Sequence, residues 1–163
     1  MQQTFLDEIG PQIKIANTLI EKELNSRVAS LISEYPLTGS QITLMVYLYE
    51  SKGRTITQKE VADKFVLSHP TIRSIVKRLA NHGLIDVGYL ETDHRQVTLS
   101  LSNKGFQLLE KHIDDIRQTM TDVNKQIVSQ LSDTDIKQLQ QYLSTIIHHF
   151  NGVFCIKCSM LLF

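Results

Sequence analysis

Apolar residues in this chain recur every three or four positions up to Gly83, every second position between Ile85 and Leu101, and every three or four again from Phe106. One short period-two interval set between long helical ones predicts a mainly α-helical chain that carries two antiparallel strands. Ile85, Val87 and Tyr89 alternate with Asp86 and Gly88, and Val97, Leu99 and Leu101 alternate with Thr98 and Ser100. The segment between them, Leu90 to Gln96, is polar and too long for a two-residue turn, so it is expected to project as a mobile flap.

Helix boundaries before the strands are marked by caps. From Phe5 to Ile32 the apolar spacing predicts one long amphipathic helix, with Pro11 placing its regular start near that residue and a separate turn before it. Thr38-Gly39-Ser40-Gln41 has the spacing of a capping box, flanked by Leu37 and Ile42 as a staple, and opens a helix that should reach Ser51. Thr57-Gln58-Lys59-Glu60 is a second box and opens a short helix with Val61, Ala62 and Phe65 on its apolar face. Val66, Leu67 and Ser68 separate it from the next. There Ser68 serves as N-cap, Pro70 is tolerated in the first turn, and Gly83 ends the helix after His82 as a left-handed cap.

The helix from Ser68 to His82 is chemically two-sided. At about 100° per residue, Ile72, Ile75, Val76 and Leu79 fall on one side, and Pro70, Arg73, Ser74 and Lys77 on the other, flanked by Thr71 and Arg78. The whole chain balances 17 basic against 17 acidic residues, yet this stretch holds Arg73, Lys77 and Arg78 and no acid. Small polar groups allow close approach, while long cations reach phosphates and guanine edges. A basic surface helix by itself is more often merely solvated. Here it follows a short capped helix and a three-residue turn, and precedes a hairpin with a polar flap. That order describes a winged helix-turn-helix, whose second helix enters the major groove. In the flap, Asp93 and Arg95 flank His94; Asp93 is expected to pair with Arg95 and aim it from the loop tip into a minor groove.

After the hairpin, Ser102 restarts helix. Phe106, Leu109, Ile113, Ile116, Met120, Val123, Ile127 and Leu131 follow a nearly heptad spacing. A helix from Ser102 to Leu131 spans about 45 Å, which would strand much of this stripe in a single chain and predicts a partner helix. Ser132 to Asp135 caps a last helix bearing Ile136, Leu139, Leu143, Ile146, Ile147 and Phe150.

The ordered series resembles the MarR family of bacterial transcription regulators. The motifs that carry the resemblance run from Leu37 to Gly105: Leu37-Thr38-Gly39-Ser40-Gln41, Thr57-Gln58-Lys59-Glu60-Val61-Ala62, Ser68-His69-Pro70-Thr71-Ile72, Leu79-Ala80-Asn81-His82-Gly83-Leu84-Ile85, Asp93-His94-Arg95-Gln96-Val97 and Leu101-Ser102-Asn103-Lys104-Gly105. The resemblance implies a homodimer on a pseudo-palindromic operator in double-stranded DNA, usually repressing and released by a small, often phenolic or lipophilic ligand. It divides the chain into an N-terminal dimerisation helix (1–36), a DNA-binding region (37–105), C-terminal dimerisation helices (106–150) and an apolar tail (151–163). Candidate DNA-binding residues are Ser68, His69, Pro70, Thr71, Arg73, Ser74, Lys77 and Arg78 on the helix, with Asp93 and Arg95 on the wing. An effector pocket is expected between the terminal helices and the winged region, with residues the sequence does not name. Two features depart from the family pattern. His94 stands where many relatives carry another cation, and the tail holds Cys155-Ile156-Lys157-Cys158.

Other chemistry finds little support. The two cysteines, Cys155 and Cys158, are the only ones in 163 residues, so neither a disulfide framework nor an N-terminal peroxide-sensing cysteine is available. A zinc or redox site with His148 and His149 would need four groups to converge, whereas adjacent helical histidines diverge by about 100°; no metal and no cofactor are expected. Asp114 and Asp115 beside His112 read as a solvated face. There is no Gly-x-Ser-x-Gly, P-loop or dinucleotide fingerprint, and no enzyme is expected. The longest near-continuous apolar run, Ile42 to Tyr49, is far short of the roughly 20 residues that cross a membrane, and the first residues lack a basic stretch followed by an apolar one, so a cytoplasmic location is expected. The competing interpretation is a ligand-binding or protein-interaction module whose winged helix has lost DNA binding; steep salt dependence would separate the two.

Overall fold

The computed structural model describes residues 4–151, comprising six α-helices and a three-stranded antiparallel sheet. Cys155, Cys158 and the rest of the apolar tail after Asn151 lie outside the described residues. A one-turn 3-10 helix (Phe5–Asp7) precedes α1 (Ile9–Leu31). Helix α1 starts two residues ahead of Pro11, not at it. Pro11 occupies the third helical position, where its missing N–H would have had no partner in the helix anyway.

The chain divides into two compact units, with the boundary between Arg117 and Gln118. The core of the first unit is built around α2 (Gly39–Glu50), which buries Ile42, Leu44, Met45, Val46, Tyr47 and Leu48. A helix apolar around most of its circumference belongs at the centre of a module. Its start is fixed by Gln41, whose Oε1 accepts from the Thr38 N–H at 2.8 Å, the return bond of the first capping box. Only half of the second box forms: Thr57 Oγ1 accepts from the Glu60 N–H at 3.1 Å. The Glu60 carboxylate is instead held by the Tyr47 hydroxyl at 2.7 Å and Arg54 at 3.0 Å. This ties α2 to α3 (Gln58–Lys64). Burial, then the Glu60 carboxylate, pushes the Tyr47 phenol above its ordinary pKa.

Helices α3 and α4 (His69–Asn81) end alike. After α3, the Leu67 N–H donates to Ala62 O at 2.8 Å and the Val66 N–H to Asp63 O at 3.4 Å. After α4, the Leu84 N–H donates to Leu79 O at 3.0 Å and the Gly83 N–H to Ala80 O at 2.8 Å. Both are Schellman motifs, which place one residue in the left-handed region. Gly83 takes it at φ +68°, whereas Val66 takes it at φ +52° despite its branched Cβ.

Strand β1 (Ile56–Thr57) pairs with β3 (Asp93–Leu101), which pairs with β2 (Ile85–Leu90), in the order β1-β3-β2. The third strand, β1, was not expected, because two residues carry no period. Regular pairing runs from Ile85↔Leu101 to Tyr89↔Val97, and then the register jumps so that Leu90 faces Asp93. The expected seven-residue flap is therefore a tight turn at Glu91 and Thr92 with His94, Arg95 and Gln96 bulged out of β3. The polar run was read as a loop because a bulge, like a loop, breaks the alternation.

Helix α5 (Asn103–Val128) contributes Leu109, Ile113 and Ile116 to the core of the first unit. Val123 is also buried, so the stripe expected to be stranded in a single chain is exposed only at Ile127 and Leu131. In the second unit, Ser132 opens α6 (Asp133–Asn151): its N–H donates to Asp135 Oδ2 at 3.1 Å, and its Oγ accepts from the Asp135 N–H at 3.2 Å. The Ser132 hydroxyl also donates to Asp135 Oδ2 at 2.6 Å, and this bond, followed by the one from the Ser132 N–H, holds the Asp135 carboxyl below its ordinary pKa.

Candidate nucleic-acid interface

Helix α4 is seated by its apolar face and finished by its caps. Ile72, Ile75, Val76 and Leu79 are buried, and α2, α3 and β2 pack around them. Ser68 Oγ accepts from the Thr71 N–H at 3.3 Å and shares a hydrogen bond with Thr71 Oγ1 at 2.8 Å. The two small side chains that open the helix are thereby held down, leaving its first turn approachable. Seating on one side dictates what faces outward. Ser68, His69, Pro70, Thr71, Arg73, Ser74, Lys77 and Arg78 are all exposed, so the structure brings every helix candidate onto one continuous surface.

Charge on that surface is uncompensated. Arg73, Lys77 and Arg78 have no ion-pair partner among the described residues. Elsewhere in the first unit, Arg54 pairs with Glu60 at 3.0 Å, Lys111 with Glu34 at 3.0 Å and Arg117 with Glu50 at 3.1 Å. A helix of 13 residues with three free cations and no acid projects a positive field outward, in a chain whose net charge is zero.

The wing candidates are arranged differently from expectation. Asp93 does not pair with the Arg95 guanidinium. Its Oδ1 accepts from the Arg95 backbone N–H at 3.0 Å and its Oδ2 from Gln96 Nε2 at 3.2 Å. A carboxylate two residues ahead of an N–H closes an Asx turn, and that local geometry wins over the longer ion pair. Arg95 is exposed in the bulge, beyond the turn at Glu91 and Thr92, and among the described residues no ion pair holds its guanidinium.

Away from α4, His112 does not join Asp114 and Asp115, which are exposed; its Nε2 lies 3.9 Å from Glu34 Oε1. Among the described residues no group of three or more His, Cys, Asp or Glu is placed to hold a metal, and no helix is long and apolar enough to cross a membrane.

Sequence reasoning missed a polar junction behind α4. Lys104 Nζ donates to His82 O at 2.8 Å, Ser102 Oγ to Gly83 O at 2.7 Å, and the Ser102 N–H to Leu84 O at 3.2 Å. Gly105 lies so close that a Cβ there would stand 2.0 Å from Leu84 O. The available signal was a glycine in the first turn of a helical pattern, which marks a close backbone approach.

The family model for the transcriptional regulator SarA/Rot matches residues 26–116, more than half the chain. The organic hydroperoxide resistance transcriptional regulator of Bacillus subtilis is 30% identical over 126 residues, covering 77% of this chain and 80% of that protein. AbsC, a MarR family transcriptional regulator from Streptomyces coelicolor, superposes with a TM-score of 0.72 at 19% identity, over 94% of this chain and 99% of that one. MepR of S. aureus in its DNA complex superposes with a TM-score of 0.71 at 18% identity, over 91% of this chain and 99% of that one. With the seated basic helix and the bulged wing, these similarities place the chain in the SarA/Rot family of transcriptional regulators, on the winged helix-turn-helix fold of the MarR regulators.

Proposed function

We propose that this chain is a sequence-specific DNA-binding regulator of transcription, which occupies a pseudo-palindromic operator as a cytoplasmic homodimer, represses from it, and is released by a small phenolic or lipophilic ligand. The observation that carries the proposal is the outer face of α4, where eight exposed small or basic residues include three cations with no acidic partner among the described residues. Arg73, Lys77 and Arg78 displace counterions from phosphates, which supplies sequence-independent affinity. Ser68, Thr71 and Ser74 let the helix approach the base edges, where Arg73 can bond a guanine with two hydrogen bonds. Arg95, exposed and with no ion pair among the described residues, is available to a minor groove beside the wing. That MepR was solved with DNA on the same fold supports this assignment.

Dimerisation rests on apolar surface. Phe5, Leu6, Ile9 and Leu19 of residues 1–36 are each at least 60% exposed. Within 106–150, Leu143 and Ile147 are 40% and 46% exposed. Exposed apolar side chains on each of these two segments are the kind of surface that marks an interaction site, and a twofold copy would present two α4 helices to successive major grooves about one turn apart. A ligand releases the operator only if it binds more tightly to a dimer whose helix spacing no longer matches the grooves.

The test is binding of the full chain to duplexes by fluorescence anisotropy across a salt series. Arg73→Ala is expected to cost about 1–3 kcal/mol of operator affinity, and Lys77→Ala to lower the slope of log affinity against log salt by about one, with folding intact. Wild-type affinity in either variant contradicts the assignment.

A further inference from the structure

We propose that Lys104 is a positioning residue for DNA recognition: its ammonium locks the C-terminal end of α4 to the start of α5 and to the α1–α2 connection, and base-specific binding depends on that lock. The proposal rests on α4 being the recognition helix.

Three successive carbonyls leave the end of α4, and each accepts from the first residues around α5. His82 O receives Lys104 Nζ at 2.8 Å, Gly83 O receives Ser102 Oγ at 2.7 Å, and Leu84 O receives the Ser102 N–H at 3.2 Å. Ser102 Oγ in turn accepts from the Gly105 N–H at 3.0 Å, so the clasp closes on both strands of the junction. Of the two residues that donate from the α5 side, Lys104 also reaches a third element. Its Nζ lies 4.9 Å from the centroid of the Tyr35 ring, and that ring meets His82 edge-on at 5.7 Å. Tyr35 belongs to the connection that follows α1, so one ammonium joins three segments.

The physical need follows from what seats α4. Its buried face of Ile72, Ile75, Val76 and Leu79 sets the rotation of the helix, but apolar contact is non-directional and resists sliding along the axis only weakly. Hydrogen bonds at the helix ends are directional and tolerate only a few tenths of an ångström. A cation on the last carbonyls also matches the negative end of the helix dipole. Base-edge hydrogen bonds demand the same tolerance, whereas attraction to phosphates does not. Loosening the clasp should therefore cost specific binding and spare non-specific binding. The Lys104 ammonium is taken up by a carbonyl and a ring, so its loss should remove no phosphate contact.

The full chain would be titrated against a duplex it selects from a random-sequence pool and against a scrambled duplex of equal length. Lys104→Ala is expected to lose about tenfold in affinity for the selected duplex and less than about twofold for the scrambled one, with an unchanged salt slope. Lys104→Arg, which keeps a donor and a charge, should restore the selected-duplex affinity to near wild type. Lys104→Met keeps an unbranched apolar side chain without the donor or the charge and should repeat the Lys104→Ala loss, which covers the case in which the alanine variant folds poorly. An equal loss on both duplexes with the slope lowered by about one would mean a phosphate contact and overturn the proposal. So would unchanged specificity in both Lys104→Ala and Lys104→Met while Lys77→Ala weakens binding. If Lys77→Ala also binds as wild type, the assignment of α4 is what fails.

Discussion

Helices α4 and α6 carry the same kind of apolar stripe and meet opposite fates. In α4, Ile72 and Leu79 are fully buried and Ile75 is 8% exposed; in α6, Leu139, Leu143 and Ile147 are 37%, 40% and 46% exposed and Phe150 81%. Amphipathic spacing says that a face is to be covered, not what covers it. Around α4 the chain supplies its own cover from α2, α3 and β2. On α6 the face is left exposed, and it is part of the surface on which the proposed dimer rests. Substitution should split the two. Leu79→Ala is expected to cost about 2–5 kcal/mol of unfolding free energy, read from urea denaturation, because it opens a cavity in a closed core. Leu143→Asp should leave the melt of the first unit in place, convert dimer to monomer in sedimentation, and lower operator affinity about a hundredfold or more by removing the second half-site. A dimeric Leu143→Asp protein with full affinity would break the comparison.

What was legible in the sequence follows the same division. Wherever the chain satisfies itself locally, residues announced the structure: Ser68 as cap, Gly83 as left-handed stop, Ile72 to Leu79 as a seated face with the cations opposite. Wherever satisfaction comes from a distant segment, they did not. The Glu60 carboxylate has capping-box spacing, but Tyr47 and Arg54 compete for it successfully, and both are brought close only by the fold. Asp93 is the exception to this division: its carboxylate is satisfied locally, by the Arg95 backbone N–H two residues on and not by the guanidinium. The early part of the α5 stripe has the period of an interface, and no local signal shows that the first unit is large enough to cover it; Leu109 and Ile116 are fully buried. The clasp of Ser102 and Lys104 on His82 to Leu84 links residues about twenty apart in sequence, and no local period signals it.

A second pair sharpens the contrast between satisfied and unsatisfied groups inside the helix-turn-helix itself. The two Schellman turns share their hydrogen bonds, but Gly83 occupies the left-handed position without cost while Val66 occupies it with a branched side chain that is 61% exposed. A non-glycine residue held there stores about 1–3 kcal/mol, partly offset by the extra chain entropy a glycine loses on folding. Val66→Gly is therefore expected to raise the urea midpoint, by about 1 kcal/mol in stability, since little buried surface is lost. A lower midpoint would mean that packing of the Val66 side chain outweighs its backbone strain.

Charge shows the smallest form of the same contrast. The α4 cations face outward without acids, whereas Lys111 on α5 is held by Glu34 at 3.0 Å, and the Glu34 carboxyl sits below its ordinary pKa of 4.5. The backbone hydrogen bond at Glu34 contributes most to that lowering, followed by the bond from Lys111 and then the Lys111 and His112 charges. A carboxyl that ionises more easily in the folded chain than in the unfolded one stabilises the fold above its unfolded pKa, and that contribution fades as pH falls through the lower folded value. Glu34→Gln should therefore be slightly less stable than wild type near pH 6, with the gap closing as pH drops below about 4.5. The effect should be small, because an exposed ion pair is screened by water and salt. Urea midpoints for the two proteins from pH 6 to pH 3 decide it: parallel curves would show that Glu34 titrates alike in both states. Converging curves would mean that the Glu34 carboxylate is better satisfied in the folded chain than in the unfolded one, by the backbone hydrogen bond first and by Lys111 second.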